Sequence, residues 1–295
     1  VITFSFLLFA TAVPAMAQDA GALFPTAFKV EHAVVQSDAD GGVFATEPVT
    51  DTYSASWIVS ERADGSRLVI DFARREITEI RPAEGRYTVI GFDRMAQLLR
   101  ELEALEGGSS EIAKNTADAD GEPELRVVEL AASDLPMTKS RALDSTLVKR
   151  QGVRHLQVVV AGSAKRGGGV LLDAWFDPEL RFSPRALDAL EEFERDIIGA
   201  TAGPRASVGQ RSAALARREA GGALPFLTVR RGVFGDAAAG EVVDAARRVE
   251  VIDKVRPYVV AVPHGLRRTP HPVELLFAHA EREAELRSLM GGGAR

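Results

Sequence analysis

The chain has 295 residues, of which 46% are hydrophobic and 26% are charged, a composition typical of a globular protein with a sizeable core. Its formal net charge of -6 is mild and no sustained basic stripe occurs, which argues against nucleic acid as a partner. Cysteine is absent, which excludes disulfides, thiolate catalysis and cysteine-based metal sites.

The start of the chain has the features of an export signal. Residues 1–17 are apolar and end in Ala15-Met16-Ala17, an A-x-A cleavage pattern that the polar Gln18 follows. The run is shorter than the ~20 residues that a membrane span needs, and no second long apolar run follows it. We therefore expect a signal peptide over 1–17 and a periplasmic or secreted protein that is not an integral membrane protein.

The next segments alternate with the period of β-strands and are separated by turn residues. The sequence predicts strands over 28–35 and 51–60, and Asp64-Gly65 then marks a hairpin before the strand "RLVIDF". The stretches "REITEIRP" and "RYTVIGF" continue the alternation after further turns. Regularly spaced turns of this kind predict an antiparallel meander.

A helix follows the last of these strands almost without a connection. Asp93 is a good N-cap, and Gly107-Gly108 stops the pattern. The apolar residues between them recur at helical spacing: Met95, Leu98, Leu99, Leu102 and Leu105. Because the helix over 94–105 is joined directly to a strand, its apolar face should dock on the same sheet.

The second half of the chain contains further strands and three helices. Strands are predicted over 125–130, 154–162, 170–177, 225–231, 241–255 and the start of 257–265. Asp177-Pro178 is expected to end the third of these strands. Ser183-Pro184 supplies an N-cap and a first helical residue for a helix over 184–198, and a short helix is expected at 210–220. The domain itself is expected to span 18–272, with 273–295 as a C-terminal helix and tail.

No set of residues identifies a reaction. The five histidines form no H-E-x-x-H motif, so surface or core roles are favoured over the alternative of a zinc site assembled from distant segments. The glycine-rich loop at 162–169 lacks the residue order of a P-loop. Neither a G-x-S-x-G elbow nor an S-x-x-K motif occurs with its usual neighbours. We therefore expect no cofactor, no metal and no catalytic activity.

Several stretches occur in a familiar order: "RYTVIGFDRM", then "VLLDAWFDPELRFSPRALDALEEF", then "LPFLTVRR" and "YVVAVPHGLRRTPHP". Together they resemble an uncharacterised bacterial exported family grouped near the lipoprotein-carrier (LolA/LolB-like) half-barrels. The resemblance spans roughly residues 24–272. Leu266 stands where that family often has tyrosine, and the insertion at 199–222 is long. The resemblance implies an α+β fold: a curled antiparallel sheet, or half-barrel, with helices on the concave face around an apolar concavity.

Two functions compete on this basis. The first is an exported carrier or sensor of an apolar, lipid-like ligand, which would occupy the concavity. The second is an envelope structural or interaction protein that holds no ligand and whose interior is filled core. The residues expected to line a ligand cavity come from predicted strands and helices: Trp57, Met95, Leu98, Leu99, Trp175 and Phe193.

Overall fold

The structure is a computed structural model that describes residues 23–38, 40–107, 124–131, 152–161, 169–198, 209, 211–231, 241–253, 255 and 257–291. The predicted signal peptide lies outside these ranges. Within them, no helix combines the length and apolar character that crossing a membrane requires.

The first half of the chain folds into an antiparallel meander in which each strand pairs with the preceding one. Its strands are β1 (Phe24–Ser37), β2 (Val43–Ala55), β3 (Trp57–Arg62), β4 (Arg67–Asp71), β5 (Glu76–Arg81) and β6 (Arg86–Gly91). The predicted Asp64-Gly65 hairpin is confirmed. Gly65 has a φ of 77°, which glycine adopts without strain, and its N–H donates to the Arg62 carbonyl oxygen at 3.0 Å.

A second antiparallel meander follows. Its strands are β7 (Leu125–Leu130), β8 (Arg154–Val160), β9 (Val170–Arg181), β10 (Ala223–Arg231) and β11 (Glu241–Val251). The prediction that Asp177-Pro178 ends a strand is wrong, because β9 continues beyond it. Asp177 pairs with Leu224 and Arg181 pairs with Ala223, so β9 bulges between them. The bulge accommodates a proline that has no N–H to donate to a ladder.

The first and last long strands, β1 and β11, pair and join the two meanders into one open 12-stranded sheet. We call this pairing the seam. Its register shifts between Glu31 and His32, where β11 contributes one unpaired residue, Arg247. The short edge strand β12 (Arg267–Arg268) runs parallel to β6, so the expectation of a wholly antiparallel sheet is wrong for this pair.

The strand predicted at the start of 257–265 is also wrong. Pro257–Val259 forms one 3₁₀ turn, and a loop continues to β12. Prolines at 257 and 263 remove the donors that a strand would need. The apolar residues of this loop cover one face of β3–β5. Val259, Val260, Val262 and Leu266 contact the cluster of Val59, Val69 and Ile80.

Four helices accompany the sheet in the described part of the chain. α1 (Phe92–Gly107) directly follows β6, as the sequence predicts. It begins one residue before Asp93, so Asp93 lies in the first turn and is not the N-cap. α2 (Pro184–Phe193) begins as predicted: the Ser183 hydroxyl accepts the Ala186 N–H at 3.1 Å. A π-helical turn, Glu194–Ile198, extends it. α3 spans 211–219, and α4 (Pro272–Gly291) ends the described chain.

One face of the sheet packs against helices, and we call it the helix face. Strand register places five residues of β2–β6 side by side on it: Tyr53, Ile58, Ile70, Ile77 and Ile90. α1 packs on Ile77 and Ile90, with Leu98 fully buried among them. Val273 of α4 joins the same cluster.

The helix face continues across the seam to the second meander. His32 pairs with Ala246, Asp244 with Thr228, and Thr228 with Ala174, so these side chains share that face. Ala216 of α3 and Ala220 just after it pack there against the β8 and β9 side chains Leu156, Val158, Leu172, Ala174 and Phe176. The architecture is therefore α+β, with a large open sheet.

Candidate functional site

A cleft of about 340 Å³ lies between α1, α2 and the turn that joins β4 to β5. We call it the α1–α2 cleft. Its apolar wall contains three phenyl rings, those of Phe72, Phe92 and Phe193. Their centroids are 5.0 to 5.9 Å apart in tilted or edge-on arrangements, the geometry that aromatic pairs prefer. The rings form a contiguous apolar surface.

Charged side chains also line the α1–α2 cleft, and Arg75 is one of them. Arg75 has a φ of 54°, a left-handed conformation that is unusual for a side-chain-bearing residue. Its guanidinium donates to Asp93 Oδ1 at 3.1 Å and to Glu192 Oε1 at 3.3 Å. The guanidinium carbon also lies 5.5 Å from the centroid of the Phe92 ring. Arg75 thereby ties the first turn of α1 to α2 across the cleft.

The carboxylates around the α1–α2 cleft are paired with arginines. Two arginines and four carboxylates line it: Arg75, Arg185, Asp93, Asp188, Glu192 and Asp196. Arg75 pairs with Asp93 and Glu192, whereas Asp188 and Asp196 pair with Arg218 and Arg195, which lie outside the lining. A carboxylate on a ligand would add a further negative charge beside these pairs.

A second cavity, of about 240 Å³, opens on the helix face at the seam. We call it the seam cavity. Leu190 and Glu194, one helical turn apart, line it, whereas Ala189 and Phe193 line the α1–α2 cleft. α2 and its π-helical turn therefore contribute to a wall of each cavity.

His32 in the seam cavity lies between two carboxylates. Its Nδ1 is 2.6 Å from Asp244 Oδ1 and its Nε2 is 3.3 Å from Asp51 Oδ2. Burial opposes protonation of His32, but the close contacts with the Asp244 and Asp51 carboxylates and their negative charges outweigh it and raise its pKa to about 10. His32 is therefore an imidazolium at neutral pH, and it is not suited to act as a general base there.

Asp51 also accepts hydrogen bonds from two hydroxyl groups. Ser60 donates to Oδ1, and the Tyr53 phenol donates to Oδ2 at 3.4 Å. Burial and the charge of Asp51 raise the pKa of Tyr53 well above its ordinary value, so Tyr53 is a neutral phenol at physiological pH. The polar side chains at the seam therefore form one connected network.

A separate buried network lies on the opposite face of the sheet. Asp173 accepts hydrogen bonds from Gln157 Nε2 at 3.0 Å and from Arg231, and it lies 3.2 Å from His155 Nε2. Burial disfavours ionisation of Asp173, but the bonds from His155, Arg231 and Gln157 outweigh it and lower its pKa. The His155 ring stacks on Trp175 with centroids 3.9 Å apart. These contacts fasten β8, β9 and β10 together.

Neither network is arranged as a metal site. Among the residues that the structure describes, no group of three or more histidine, aspartate or glutamate side chains is placed to hold a metal ion. At the seam, His32 directs its two nitrogens to two different carboxylates.

The structure separates the six residues that the sequence predicts as cavity walls. Phe193 lines the α1–α2 cleft. Three α1 residues, Met95, Leu98 and Leu99, belong to or pack against the same hydrophobic cluster as Phe193, but they do not line the cleft. Trp57 and Trp175 lie elsewhere.

Trp57 packs against the cluster of Val59, Val69 and Ile80, on the face opposite the helices. Trp175, fully buried, pairs with Leu227 and also lies on the face opposite the seam cavity. A role for either tryptophan in ligand binding stays a prediction.

Arg75, His32, Asp51 and Asp244 are not among the residues that the sequence predicts as a site. One signal was available for His32. It follows Phe28 and Val30 at every second position in β1, so a polar residue occupies a place where the pattern calls for an apolar one.

No family model and no curated protein matches the chain. An uncharacterized conserved protein from Thermus thermophilus is similar over 83% of this chain and 91% of its own, at 8% identity and a TM-score of 0.36. PNGF-II in two crystal forms is similar over 88% and 86% of this chain, at 10% identity and a TM-score of 0.34. This chain covers only 33% and 34% of those PNGF-II chains. Likenesses this weak carry no argument about function.

Proposed function

We propose that the protein is an exported binding protein that holds an amphipathic, lipid-like ligand in the α1–α2 cleft. In this proposal the sheet curls as a half-barrel with the helices on its concave face. The observation that supports it most is that three phenyl rings and six charged side chains line one cleft of about 340 Å³. Small-molecule sites typically have volumes of about 300–1,000 Å³ and a mostly apolar lining with a few polar groups. Export rests on the cleavage pattern at Ala15-Met16-Ala17.

The charged side chains of the cleft favour a particular class of head group. The acyl chain would lie on the rings of Phe72, Phe92 and Phe193. Its head would then meet four carboxylates and two arginines, one of which, Arg75, is already paired with Asp93 and Glu192. A cationic or zwitterionic head adds no net negative charge beside these arginine-paired carboxylates, so we favour it over the carboxylate of a free fatty acid.

Competition binding with an environment-sensitive dye tests this function. Wild-type protein is loaded with N-phenyl-1-naphthylamine and titrated, below the micelle concentrations, with dodecyltrimethylammonium, lysophosphatidylcholine and laurate. We expect saturable displacement by the first two and weaker displacement by laurate. Binding should also raise the melting temperature by mass action.

Two matched substitutions locate the binding site. Ala189 on α2 lines the cleft, so Ala189→Trp should fill it and abolish displacement by all three amphiphiles. Ala104 on α1 is exposed and outside the cleft lining, so Ala104→Trp should bind as wild type does. Unchanged binding by Ala189→Trp would contradict the assignment of the ligand to this cleft.

The alternative is an envelope interaction protein without a ligand. Two adjacent leucines of α4, Leu275 and Leu276, are 59% and 60% exposed, and exposed apolar residues of this kind can form part of a protein contact. Failure of all three amphiphiles to bind the wild type would favour this second function.

A further inference from the structure

Three residues that line the seam cavity each have a buried polar atom that makes no hydrogen bond of normal geometry within the described residues. These atoms are Nε2 of His32, Nε of Arg217 and the hydroxyl of Thr228. His32 Nε2 lies 3.3 Å from Asp51 Oδ2 without the alignment of a hydrogen bond. Leaving such groups unsatisfied is unfavourable, because folding has removed their bonds to water.

All three residues come from different elements and line the same cavity. His32 belongs to β1, Thr228 to β10 and Arg217 to α3. The imidazolium and the guanidinium can only donate, and a hydroxyl can donate or accept. An acceptor atom bound beside Arg217 or Thr228 would therefore satisfy a donor that the fold leaves unpaired, and oxygen is the usual acceptor.

The remainder of the seam cavity is largely apolar. Its wall includes Val30, Ile58, Phe176, Phe182 and Phe226. The volume of about 240 Å³ is far more than the ~10–15 Å³ that a single structural water requires. It is also smaller than a typical drug-sized site. A compact molecule with an apolar body fits this space and lining.

Charges in the wall are balanced, which bears on the charge of a ligand. Three cations and three carboxylates line the cavity: His32, Arg217, Arg230, Asp51, Asp244 and Glu194. Arg217 is already bonded to Glu194, and His32 is held between its two carboxylates. An additional anion would be repelled by these carboxylates, and an additional cation would face the three donors.

We propose that the seam cavity binds a compact, neutral molecule that combines an apolar body with a carbonyl or hydroxyl oxygen. The oxygen accepts hydrogen bonds from Thr228 and Arg217, and the apolar body packs against the phenylalanines. This site is distinct from the α1–α2 cleft, because the residues that line the two cavities do not overlap.

Three aromatic probes of similar size separate the elements of this proposal. Acetophenone has a neutral carbonyl, ethylbenzene has no acceptor and benzoate has a negative charge. Ligand-detected NMR titrations of the full chain measure their affinities. We expect acetophenone to bind saturably and about tenfold more tightly than either of the others, because one additional hydrogen bond to a charged donor is worth about a factor of ten.

The isosteric variant Thr228→Val tests the hydrogen bond. It removes one neutral donor and leaves Arg217 in place, so it should weaken acetophenone binding by about fivefold and leave ethylbenzene unaffected. Removal of an unpartnered hydroxyl should also preserve or raise the melting temperature of the free protein, which confirms that the variant is folded. Thr78→Val is the matched control: Thr78 lies in β5 on the face opposite the helices and should leave all three affinities unchanged.

Three results would overturn the proposal. Equal affinities of ethylbenzene and acetophenone would show that the cavity is an apolar void without a hydrogen-bonding site. A higher affinity for benzoate than for acetophenone would show that it is an anion site. Unchanged acetophenone binding by Thr228→Val would show that the Thr228 hydroxyl does not bond to the ligand. Ala189→Trp, which blocks the α1–α2 cleft, should leave acetophenone binding intact, so the two proposals can fail independently.

Discussion

Replacing His32 with glutamine tests whether an imidazolium holds the seam together. Glutamine retains a hydrogen-bond donor but carries no charge. Asp51 and Asp244 would then face each other without the cation that separates them. Removing one partner from a buried charge cluster typically costs about 3–5 kcal/mol, and His32 is well buried, with 11% of its side chain exposed.

The same residue makes the stability depend on pH in a defined direction. The pKa of His32 is raised from 6.5 to about 10 in the folded protein. A group with a raised pKa stabilises the fold fully below its unfolded pKa and loses that contribution as the pH rises through the folded pKa. Between these two values the free energy of unfolding should fall by about 1.4 kcal/mol per pH unit, or at most about 5 kcal/mol in total.

Urea unfolding of wild type and His32→Gln at pH 6 to 10 measures this contribution. Lysines and tyrosines titrate in both proteins, so their effects cancel in the difference between the two free energies of unfolding. We expect that difference to shrink by several kcal/mol between pH 6.5 and 10. His264 is exposed, so His264→Gln should match wild type throughout. If the difference in free energy of unfolding between wild type and His32→Gln stays constant with pH, the reasoning is refuted.

Three further comparisons test the docking of α1, the cap of α2 and the turn at Arg75, all by urea unfolding at neutral pH. Leu98→Asp should destabilise by several kcal/mol because Leu98 is fully buried, whereas Leu276→Asp, at an exposed site, should stay within about 0.5 kcal/mol of wild type. Ser183→Ala should cost about 1 kcal/mol because α2 loses its N-cap. Arg75→Gly should be about 1 kcal/mol more stable than Arg75→Ala because glycine adopts a φ of 54° without strain.

Each of these expectations has a clear contrary outcome. Equal losses in the two leucine variants would mean that α1 is not docked on the sheet. A Ser183→Ala protein as stable as wild type would show that the hydroxyl cap contributes nothing measurable. If Arg75→Ala were the more stable of its pair, residue 75 would not be strained.

Features set by neighbouring residues could be predicted from the sequence. Alternation of apolar and polar residues identifies most strands of the two meanders, and Asp64-Gly65 identifies a turn because glycine tolerates positive φ. The single strand predicted over 51–60 is wrong, because β2 ends at Ala55 and β3 begins at Trp57, with a tight turn between the paired residues Ser54 and Trp57. Ser183-Pro184 identifies the start of α2, because a hydroxyl cap and a proline without N–H satisfy a helix N-terminus. The segment 257–262 is predicted as a strand from its apolar residues, but it is a loop that covers the sheet. Periodicity alone does not distinguish such a loop from a strand.

The sites depend on pairings that local sequence does not encode. Alternation shows that neighbours in a strand face opposite ways, but the partner strand decides which face meets the helices. This is why Trp57 and Trp175 could not be assigned to a face, whereas Phe193 and Leu98 follow from helical spacing. His32 and Asp244 are 212 residues apart in sequence, and only the β1–β11 pairing brings them together.

The seam therefore couples the completion of the fold to the formation of its polar network. His32 and Asp51 belong to the adjacent strands β1 and β2, whose pairing closes a short loop. Asp244 comes from β11, and closing that much longer loop costs more chain entropy before any contact compensates for it. A ligand that binds only the completed cavity would then stabilise the contact on which the whole sheet depends.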